Sequence, residues 1–354
     1  MSKVTISDIA AKAGVSAGTV DRVIHRRGEV SSKTREKILK IIEEMNYEPD
    51  IVASSLASKK TLRFAALFPS DNNPFWKKPA EGLELAWQEV KHFGIAFEKY
   101  QFIYHDKYTF YEHLDTIVAS KPDGVVLTPV FTDQLSDYLE KLQQENIPYV
   151  FLNTQLDNQQ NLAFIGQDSR QSGRVAARLM DYCIPEGGKI YIFNFISGIG
   201  GNSHIFSREK GFLDYFNEKN LTGEKTLHTV NVNAEHPQEL EDLLLSHLGM
   251  SNSARSETTG IFVTNSRVFR VADILENEKY TNIRLMGYDL LDANVRHLRN
   301  ETIDFLIGQK PQEQGYHSIM ALFNALVRKR EVAKNQFLPI DIITKENIDF
   351  YLNL

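Results

Sequence analysis

The chain has 354 residues, a formal net charge of −6, and 42% hydrophobic and 24% charged residues. A chain of this length should fold into about two or three domains, and its ordinary composition excludes a largely disordered protein. The single cysteine, Cys183, excludes an intramolecular disulfide, and the lack of a signal peptide or of an apolar run of about 18 residues predicts a cytoplasmic protein with no membrane partner.

Charge is unevenly distributed along the chain. Residues 1–60 contain 11 Lys and Arg against 8 Asp and Glu, a balance of +3, whereas the remainder has a balance of −9. A small basic segment on an acidic body indicates a nucleic-acid-binding module joined to domains with another task.

The N-terminal segment is predicted to form three short helices. Thr5 and Asp8 have the spacing of a capping box, and apolar residues then recur with a helical period. In the stretch AGVS, Gly14 ends this first helix and Ser16 caps the second. A third helix begins near Ser31. Two helices joined by a short glycine-containing turn are the helix-turn-helix pattern, whose second helix enters the major groove of DNA.

Candidate DNA contacts lie on the exposed face of the second helix and at the helix N-termini. Arg22 can form a bidentate contact to guanine, and hydroxyl groups or helix N-termini can bind phosphates. The predicted contacts are Thr5, Ser16, Ala17, Gly18, Thr19, Arg22, His25, Arg26, Ser31 and Thr34. The alternative is that these are capping residues and a solvated basic face.

This region resembles a known family of regulators. VTISDIAAKAGVSAGTVDRVIHRRGEVSSKTREKI resembles the DNA-binding domain of the lactose-repressor (LacI) family, and MNYEPDIVASSLAS resembles the hinge helix of that family. The resemblance implies that Leu56 wedges into the minor groove with Ala53 beside it, which is a physically reasonable way to kink DNA. Leu56 could instead pack on its own domain. We expect a homodimer, because two helix-turn-helix units read half-sites at helical-turn spacing.

Three residues depart from the family pattern. Ala17 and Gly18 occupy helix positions that family members usually use for base-specific contacts, yet neither side chain can hydrogen-bond to a base. Asp21 stands where a small hydroxyl residue is more common, and it could repel phosphate, accept a hydrogen bond from cytosine or pair with His25. DNA binding is therefore predicted, whereas the operator sequence is not.

From Leu62 onward, strand-like and helix-like segments alternate. The strand-like runs are LRFAALF, IAFEKYQF, GVVLTPV, YVFLN, KIYIFNF, TLHTVNV, GIFVTN, IRLMGYD and TIDFLIGQ, and a long helix at 311–328 completes the series. This alternation predicts an α/β fold with doubly wound parallel sheets covered on both faces. Because some 290 residues exceed one ordinary core, we expect two such subdomains with a cleft between them.

Polar and aromatic residues at the predicted strand ends indicate a ligand cleft. In open α/β sheets, ligands bind beyond the carboxyl ends of the strands. The candidates are Asn72, Phe75, Trp76, Asn153, Arg208, Asn265, Asp289 and Gln309. One such residue is usually structural, but several at successive strand ends favour a binding site for a polyhydroxylated ligand.

These segments also resemble a family. DNNPFW, SREKGF, FVTNS, MGYD and IGQKPQEQG are similar to the ligand-contacting segments of the periplasmic sugar-binding protein fold, which forms the effector domain of the LacI family. The segment FLNTQ departs from the pattern, because Asn153 and Thr154 stand where many sugar binders place a charged pair. The resulting division is a helix-turn-helix domain at 1–49, a hinge at 50–61, an N-subdomain at 62–166 with 310–337, and a C-subdomain at 167–309 with 338–354.

Catalytic and cofactor motifs are weak in this sequence. SGIGGNS lacks the ending of a phosphate-binding loop, no G-x-S-x-G elbow occurs, and the ten histidines form no metal-binding pattern. We therefore expect no enzymatic activity, no cofactor and no metal. The predicted function is a ligand-responsive transcriptional regulator, usually a repressor, with double-stranded operator DNA and a sugar or sugar derivative as partners. The alternative is a cytosolic sugar-binding receptor without specific operator recognition, which Ala17 and Gly18 favour.

Overall fold

The structure is a computed structural model of the whole chain, divided by its internal packing into two compact units, Met1–Lys60 and Thr61–Leu354. The described residues are 4–24, 28–45, 47, 61–70, 74–104, 106–196, 201–221, 224–233, 239–248, 258–278, 280 and 282–352. No helix among them is both long enough and apolar enough to cross a membrane.

The smaller unit contains the three predicted helices, α1 (Ile6–Ala13), α2 (Ala17–Ile24) and α3 (Ser32–Glu44). The Thr5–Asp8 capping box is present, and α1 ends at Gly14, whose backbone is left-handed. One apolar cluster joins the three helices, formed by Ile9, Ala10, Ala13, Val20, Val23, Ile38 and Ile41. Helix α2 buries Val20 and Val23 in this cluster, and its opposite face is exposed.

The first sheet of the larger unit has six parallel strands. Its spatial order is β11 (Asn335–Phe337), β5 (Ala163–Gly166), β4 (Tyr149–Leu152), β3 (Gly124–Leu127), β1 (Leu62–Pro69) and β2 (Ile95–Phe102). The strand order reverses at β1, so the space between the ends of β1 and β3 is a topological switch point, where ligands of open α/β sheets bind.

The second sheet repeats this arrangement. Its order is β12 (Asp341–Ile343), β10 (Phe305–Gly308), β9 (Ile283–Tyr288), β8 (Thr259–Val263), β6 (Lys189–Ile196) and β7 (Thr226–Asn233). Only β12 is antiparallel to its neighbour. The corresponding switch point lies between the ends of β6 and β8.

Helices cover both faces of the two sheets. They are α4 (Lys77–Val90), α5 (Lys107–Ser120), α6 (Leu135–Gln144), α7 (Ser169–Cys183), α8 (Ser203–Glu218), α9 (Glu239–Leu248), α10 (Val268–Asn277), α11 (Asp292–Arg299), α12 (Pro311–Leu326) and α13 (Ile348–Leu352). Successive residues of β1 alternate between two apolar cores, with Phe64 in one and Ala65 in the other. Strand β6 does the same in the second sheet, with Phe193 and Ile192 on opposite faces. The predicted α/β fold with doubly covered sheets is confirmed.

Three strands were not predicted from the sequence. Strand β5 has four residues, and β11 and β12 have three each, so they are too short to show a distinct pattern. All three border the places where the chain passes from one sheet to the other. Gln167 lies in one of these crossover segments and links it to the other two. Its Nε2 donates to the carbonyl oxygens of Gly308 at 3.0 Å and Pro339 at 3.4 Å.

Candidate functional site

The first candidate site is the exposed face of α2. Val20 and Val23 are buried in the three-helix core, whereas Ala17, Gly18 and Arg22 are exposed. An added Cβ on Gly18 would meet nothing closer than the Ser16 hydroxyl at 3.9 Å, so this part of the surface is open. The exposed face of α2 therefore has two very small residues, Ala17 and Gly18, in its first turn and one long cationic side chain, Arg22, in its second.

The hydroxyl residues predicted to contact DNA act as helix caps. Thr5 Oγ1 donates to Asp8 Oδ2 at 2.7 Å, and Ser16 Oγ accepts from the backbone N–H of Thr19 at 3.2 Å. Ser31 Oγ accepts from the N–H of Thr34 at 3.3 Å. Their contacts with phosphate remain predictions. The candidates His25, Arg26, Ala53, Leu56 and Asn72 lie outside the described residues.

The second candidate site is a cavity in the larger unit, at the carboxyl ends of strands from both sheets. The space, including the part open to solvent, is about 670 Å³. Seven of the eight residues predicted from the sequence line it: Phe75, Trp76, Asn153, Arg208, Asn265, Asp289 and Gln309. Side chains from segments more than 200 residues apart are thus brought together.

Arg208, Gln309 and Asp289 form one connected polar group. Arg208 Nη2 donates to Gln309 Oε1 at 2.6 Å, and Gln309 Nε2 lies 2.9 Å from both carboxylate oxygens of Asp289. All three side chains are buried. The amide of Gln309 therefore lies between a cation and an anion, with its oxygen facing one and its nitrogen facing the other.

Burial controls the protonation of Asp289. It raises the pKa of this carboxyl to about 6, although the nearby Arg208 guanidinium and the Gln309 amide oppose the shift. Its backbone is also unusual, with φ of 71°, a left-handed conformation that non-glycine residues adopt rarely and mostly as Asn or Asp. Asn153, at the end of β4 in the other sheet, has the same conformation, with φ of 66°. Strained strand ends of this kind concentrate at binding sites.

The guanidinium of Arg208 is fixed on two further sides. Its carbon lies 3.7 Å from the centre of the Tyr288 ring, and Nη1 donates to the carbonyl of Thr264 at 2.8 Å. The Tyr288 hydroxyl is 3.0 Å from the Ser172 hydroxyl on α7. Arg208 Nε is buried without a hydrogen-bond partner among the described residues, so it is a donor available to a ligand.

Two buried amides hold the strand ends in place. Asn294 Nδ2 lies 3.0 Å from the carbonyls of Ser266 and Asp289, which fixes the ends of β8 and β9 relative to each other. Gln314 joins the two sheets, because its Oε1 accepts from Asn153 at 3.0 Å and its Nε2 donates to the carbonyl of Gln309 at 2.8 Å.

The cavity also has an aromatic wall. Phe75 and Trp76 form a short 3₁₀ turn after β1, and their rings pack edge to face with centres 5.2 Å apart. Both residues are more than nine-tenths buried. Aromatic faces beside carboxylate, amide and guanidinium groups suit a ligand with both apolar and hydroxylated surfaces.

Other polar residues of the cavity were missed in the sequence analysis, namely Tyr104, Asn202, His204 and Arg267. Burial and the charge of Arg208 lower the pKa of His204 to about 3, so its imidazole is neutral. Its Nδ1 atom is buried without a hydrogen-bond partner among the described residues. Arg267 follows the predicted Asn265 by two residues, so the same strand-end argument could have identified it.

A group of possible metal ligands lies apart from the residues that line this cavity. In the part of the chain that the structure describes, Asp273, Glu276 and His297 come together. The two imidazole nitrogens of His297 face different carboxylates, at 2.8 and 3.6 Å, and Arg296 pairs with Asp273 at 2.7 Å. This geometry is that of an ion-pair cluster in which a guanidinium already neutralises one acid.

Comparison with known proteins identifies both units. Residues 5–50 match the family model of the lacI family of bacterial regulatory proteins, and residues 64–330 match that of the periplasmic binding protein domain. A ribose operon repressor of Lactococcus lactis is 25% identical over 97% of this chain and 98% of its own length. A sucrose operon repressor of Pediococcus pentosaceus is 26% identical over 81% of this chain and 82% of its own length.

Solved structures agree with these matches. The crystal structure of a protein assigned as a LacI transcriptional regulator from Bacteroides fragilis has a TM-score of 0.72 and 30% identity, covering 82% of this chain and 100% of that one. A periplasmic ribose transporter protein from Conexibacter woesei has a TM-score of 0.71 at 19% identity, covering 83% of this chain and 95% of that one, which shows the shared fold. The chain therefore belongs to the lacI family of bacterial regulatory proteins, with a helix-turn-helix unit followed by a periplasmic binding protein domain.

Proposed function

We propose that this protein is a transcriptional repressor whose affinity for operator DNA is controlled by a sugar or sugar derivative bound in the cavity. The observation that carries the proposal is the connected group of Arg208, Gln309 and Asp289, which faces a cavity with an aromatic wall. Carboxylate, amide and guanidinium groups can together donate to and accept from neighbouring hydroxyls. The names of the related ribose and sucrose operon repressors agree with an effector of this class.

The DNA-binding part of the proposal rests on the smaller unit. Its helix-turn-helix exposes Arg22 on a surface opposite the buried valines of α2, and residues 1–60 carry a positive balance on an acidic chain. We propose that the protein acts as a cytoplasmic homodimer, because two such units would read two half-sites. Ala53 and Leu56 would contact the minor groove.

The larger unit would act through closure of two subdomains, at 62–166 with 310–337 and at 167–309 with 338–354. The membership of the strands in the two sheets supports these boundaries. A coupling of about 1–3 kcal/mol between effector and DNA would change operator affinity roughly 5- to 150-fold. We expect no catalysis, because the charged groups Arg208 and Asp289 are already held by hydrogen bonds suited to binding.

The proposal is tested by selecting genomic fragments with the full-length protein and measuring their affinity with and without a panel of sugars. We expect selected fragments to share a two-fold symmetric sequence and a sugar to change their affinity. Failure to select any common sequence, together with sugar binding, would favour the alternative of a sugar-binding receptor. The small exposed residues Ala17 and Gly18 are what favours that alternative.

A further inference from the structure

The charges around the cavity are unequal. Among its described lining residues, the guanidinium groups of Arg208 and Arg267 face a single carboxylate, that of Asp289. His204 adds no charge, since its pKa is lowered to about 3. A neutral sugar would leave this excess of positive charge unchanged.

Arg208 and Asp289 balance each other within the protein. Gln309 connects them by hydrogen bonds of 2.6 and 2.9 Å. Arg208 also donates to the Thr264 carbonyl and stacks on Tyr288. The pair can bind hydroxyls and needs no additional charge to compensate it.

Among the described residues, no carboxylate compensates Arg267 in this way, and only the Tyr104 side chain favours its charged form. The backbone N–H of Arg267 donates to Asn265 Oδ1 at 3.1 Å, which fixes the turn after β8 and directs the residue to the cavity. Its guanidinium forms no hydrogen bond or ion pair within the described part of the chain. Burial, followed by the charge of Arg270, lowers the pKa of Arg267. Half-buried cations are normally paired, because desolvation opposes the charged form.

We propose that the effector is an anionic monosaccharide, whose carboxylate or phosphate group binds Arg267 while its hydroxyls bind Arg208, Asp289 and Gln309. Guanidinium binds both anions with planar, paired hydrogen bonds, so the two share one recognition chemistry. This inference rests on the proposed function of the cavity as a sugar site. It adds the charge of the effector and the residue that selects it.

The test compares neutral and anionic forms of the same sugar by calorimetry with the full-length protein. The pairs are glucose with glucuronate and glucose 6-phosphate, galactose with galacturonate, and ribose with ribose 5-phosphate, and inorganic phosphate is titrated alone. We expect one anionic compound to bind roughly 10- to 100-fold more tightly than its neutral partner and to change operator affinity. The carboxylate and phosphate arms identify which anion the protein takes.

Two variants assign that preference to one residue. Arg267→Gln should reduce the preference for the anionic form to about threefold or less, and Arg267→Lys should retain part of it. Arg270→Gln is the matched control, because it removes a neighbouring positive charge that does not line the cavity. It should keep the preference.

The outcomes distinguish this inference from the proposed function. A neutral sugar that binds more tightly than its anionic partner and controls DNA binding would overturn the inference alone. So would an anionic preference that Arg267→Gln leaves intact, or binding of inorganic phosphate as tight as that of the sugar anion. If no compound binds or none affects DNA affinity, the sugar-effector proposal fails and this inference fails with it.

Discussion

At the scale of single residues, the ionisation of Asp289 determines how well its carboxyl group accepts hydrogen bonds from an effector. Burial raises the pKa of this carboxyl to about 6, above its ordinary value of 3.8. Below about pH 6 the empty site therefore holds a proton that a ligand hydroxyl donating to the carboxylate would have to displace. For an effector whose own charge does not change between pH 5 and 8, such as a neutral sugar or a sugar carboxylate, effector affinity and pH are coupled through this group.

We expect effector affinity to be constant above about pH 7 and to fall by up to about tenfold per pH unit below pH 6. The sign follows from the ligand preferring the ionised form, which is depleted as the pH falls through the raised pKa. Calorimetry between pH 5 and 8 measures it. Asp289→Asn should bind weakly and with little pH dependence, and a flat wild-type profile would contradict the assignment.

A second residue-scale prediction concerns Arg22 on the exposed face of α2. Arg22→Ala should cost about 1–3 kcal/mol at one base pair and relax the sequence preference there. Arg27, which follows the predicted contact Arg26 in the sequence, is expected to meet phosphate, so Arg27→Ala should instead weaken all sequences evenly. Anisotropy titrations with operator variants and random DNA separate the two. Equal losses on specific and random DNA for both variants would show that Arg22 does not read a base.

The candidate cavity residues could be predicted because carboxyl ends of parallel strands share one edge of a sheet. Asp289 and Asn265 follow apolar strand runs directly, so sequence position alone places them there. Asn294 and Gln314 could not be found in this way, because their roles depend on which strand ends their helices approach. The conformations of Asn153 and Asp289 likewise arise from tertiary packing and have no local sequence pattern.

At the scale of elements, one face of each sheet is covered by a pair of helices in backbone contact. An added Cβ on Gly173 of α7 would lie 1.9 Å from the carbonyl oxygen of Arg208 on α8, and one on Gly211 would lie 1.9 Å from that of Arg170. On the first sheet, an added Cβ on Gly82 of α4 would likewise lie 1.9 Å from the carbonyl oxygen of Gln312 on α12. These contacts are too close for any side chain.

Gly173→Ala should therefore destabilise the fold by about 1–3 kcal/mol or more, because the helices must separate. It should also weaken effector binding, since the displaced backbone belongs to Arg208. Arg178→Ala, on the exposed side of the same helix, should change stability by no more than about 0.5 kcal/mol. Thermal unfolding and calorimetry test this, and an unchanged midpoint for Gly173→Ala would contradict the packing argument.

At the scale of the whole molecule, the two units have opposite charge, which agrees with the separate tasks proposed for them. Residues 1–60 have a balance of +3 on a chain with a net charge of −6. Phosphate contacts release counterions, so the logarithm of DNA affinity should fall steeply with the logarithm of salt concentration.

A protein beginning at Leu62 should keep effector binding and lose DNA binding. Operator binding by that truncated protein would refute the division of tasks.

Gly201, on the second-sheet side of the cavity, lies against segments of the first sheet. Gly201 precedes α8 in the part of the chain that follows β6, and its backbone is left-handed, with φ of 72°. An added Cβ would lie 3.0 Å from Val130 Cγ1 and 3.1 Å from the Tyr104 hydroxyl, which belong to segments after β3 and β2. A larger side chain at this position should hold the two sheets apart.

We expect Gly201→Val to weaken effector binding roughly tenfold or more, because closure must overcome this overlap. Operator affinity without effector should change little, whereas the effector concentration needed for half of the DNA response should rise. Gly187→Val is the control, because Gly187 has the same left-handed backbone, with φ of 80°, but nothing within 4 Å of an added Cβ. It introduces backbone strain without a contact between the sheets. A ligand shifts an equilibrium between two states only if it binds them with different affinity, so an effector that acts by closure must bind the closed state more tightly. If both variants responded to the effector at the wild-type concentration, closure at Gly201 would not be the step that couples the cavity to DNA.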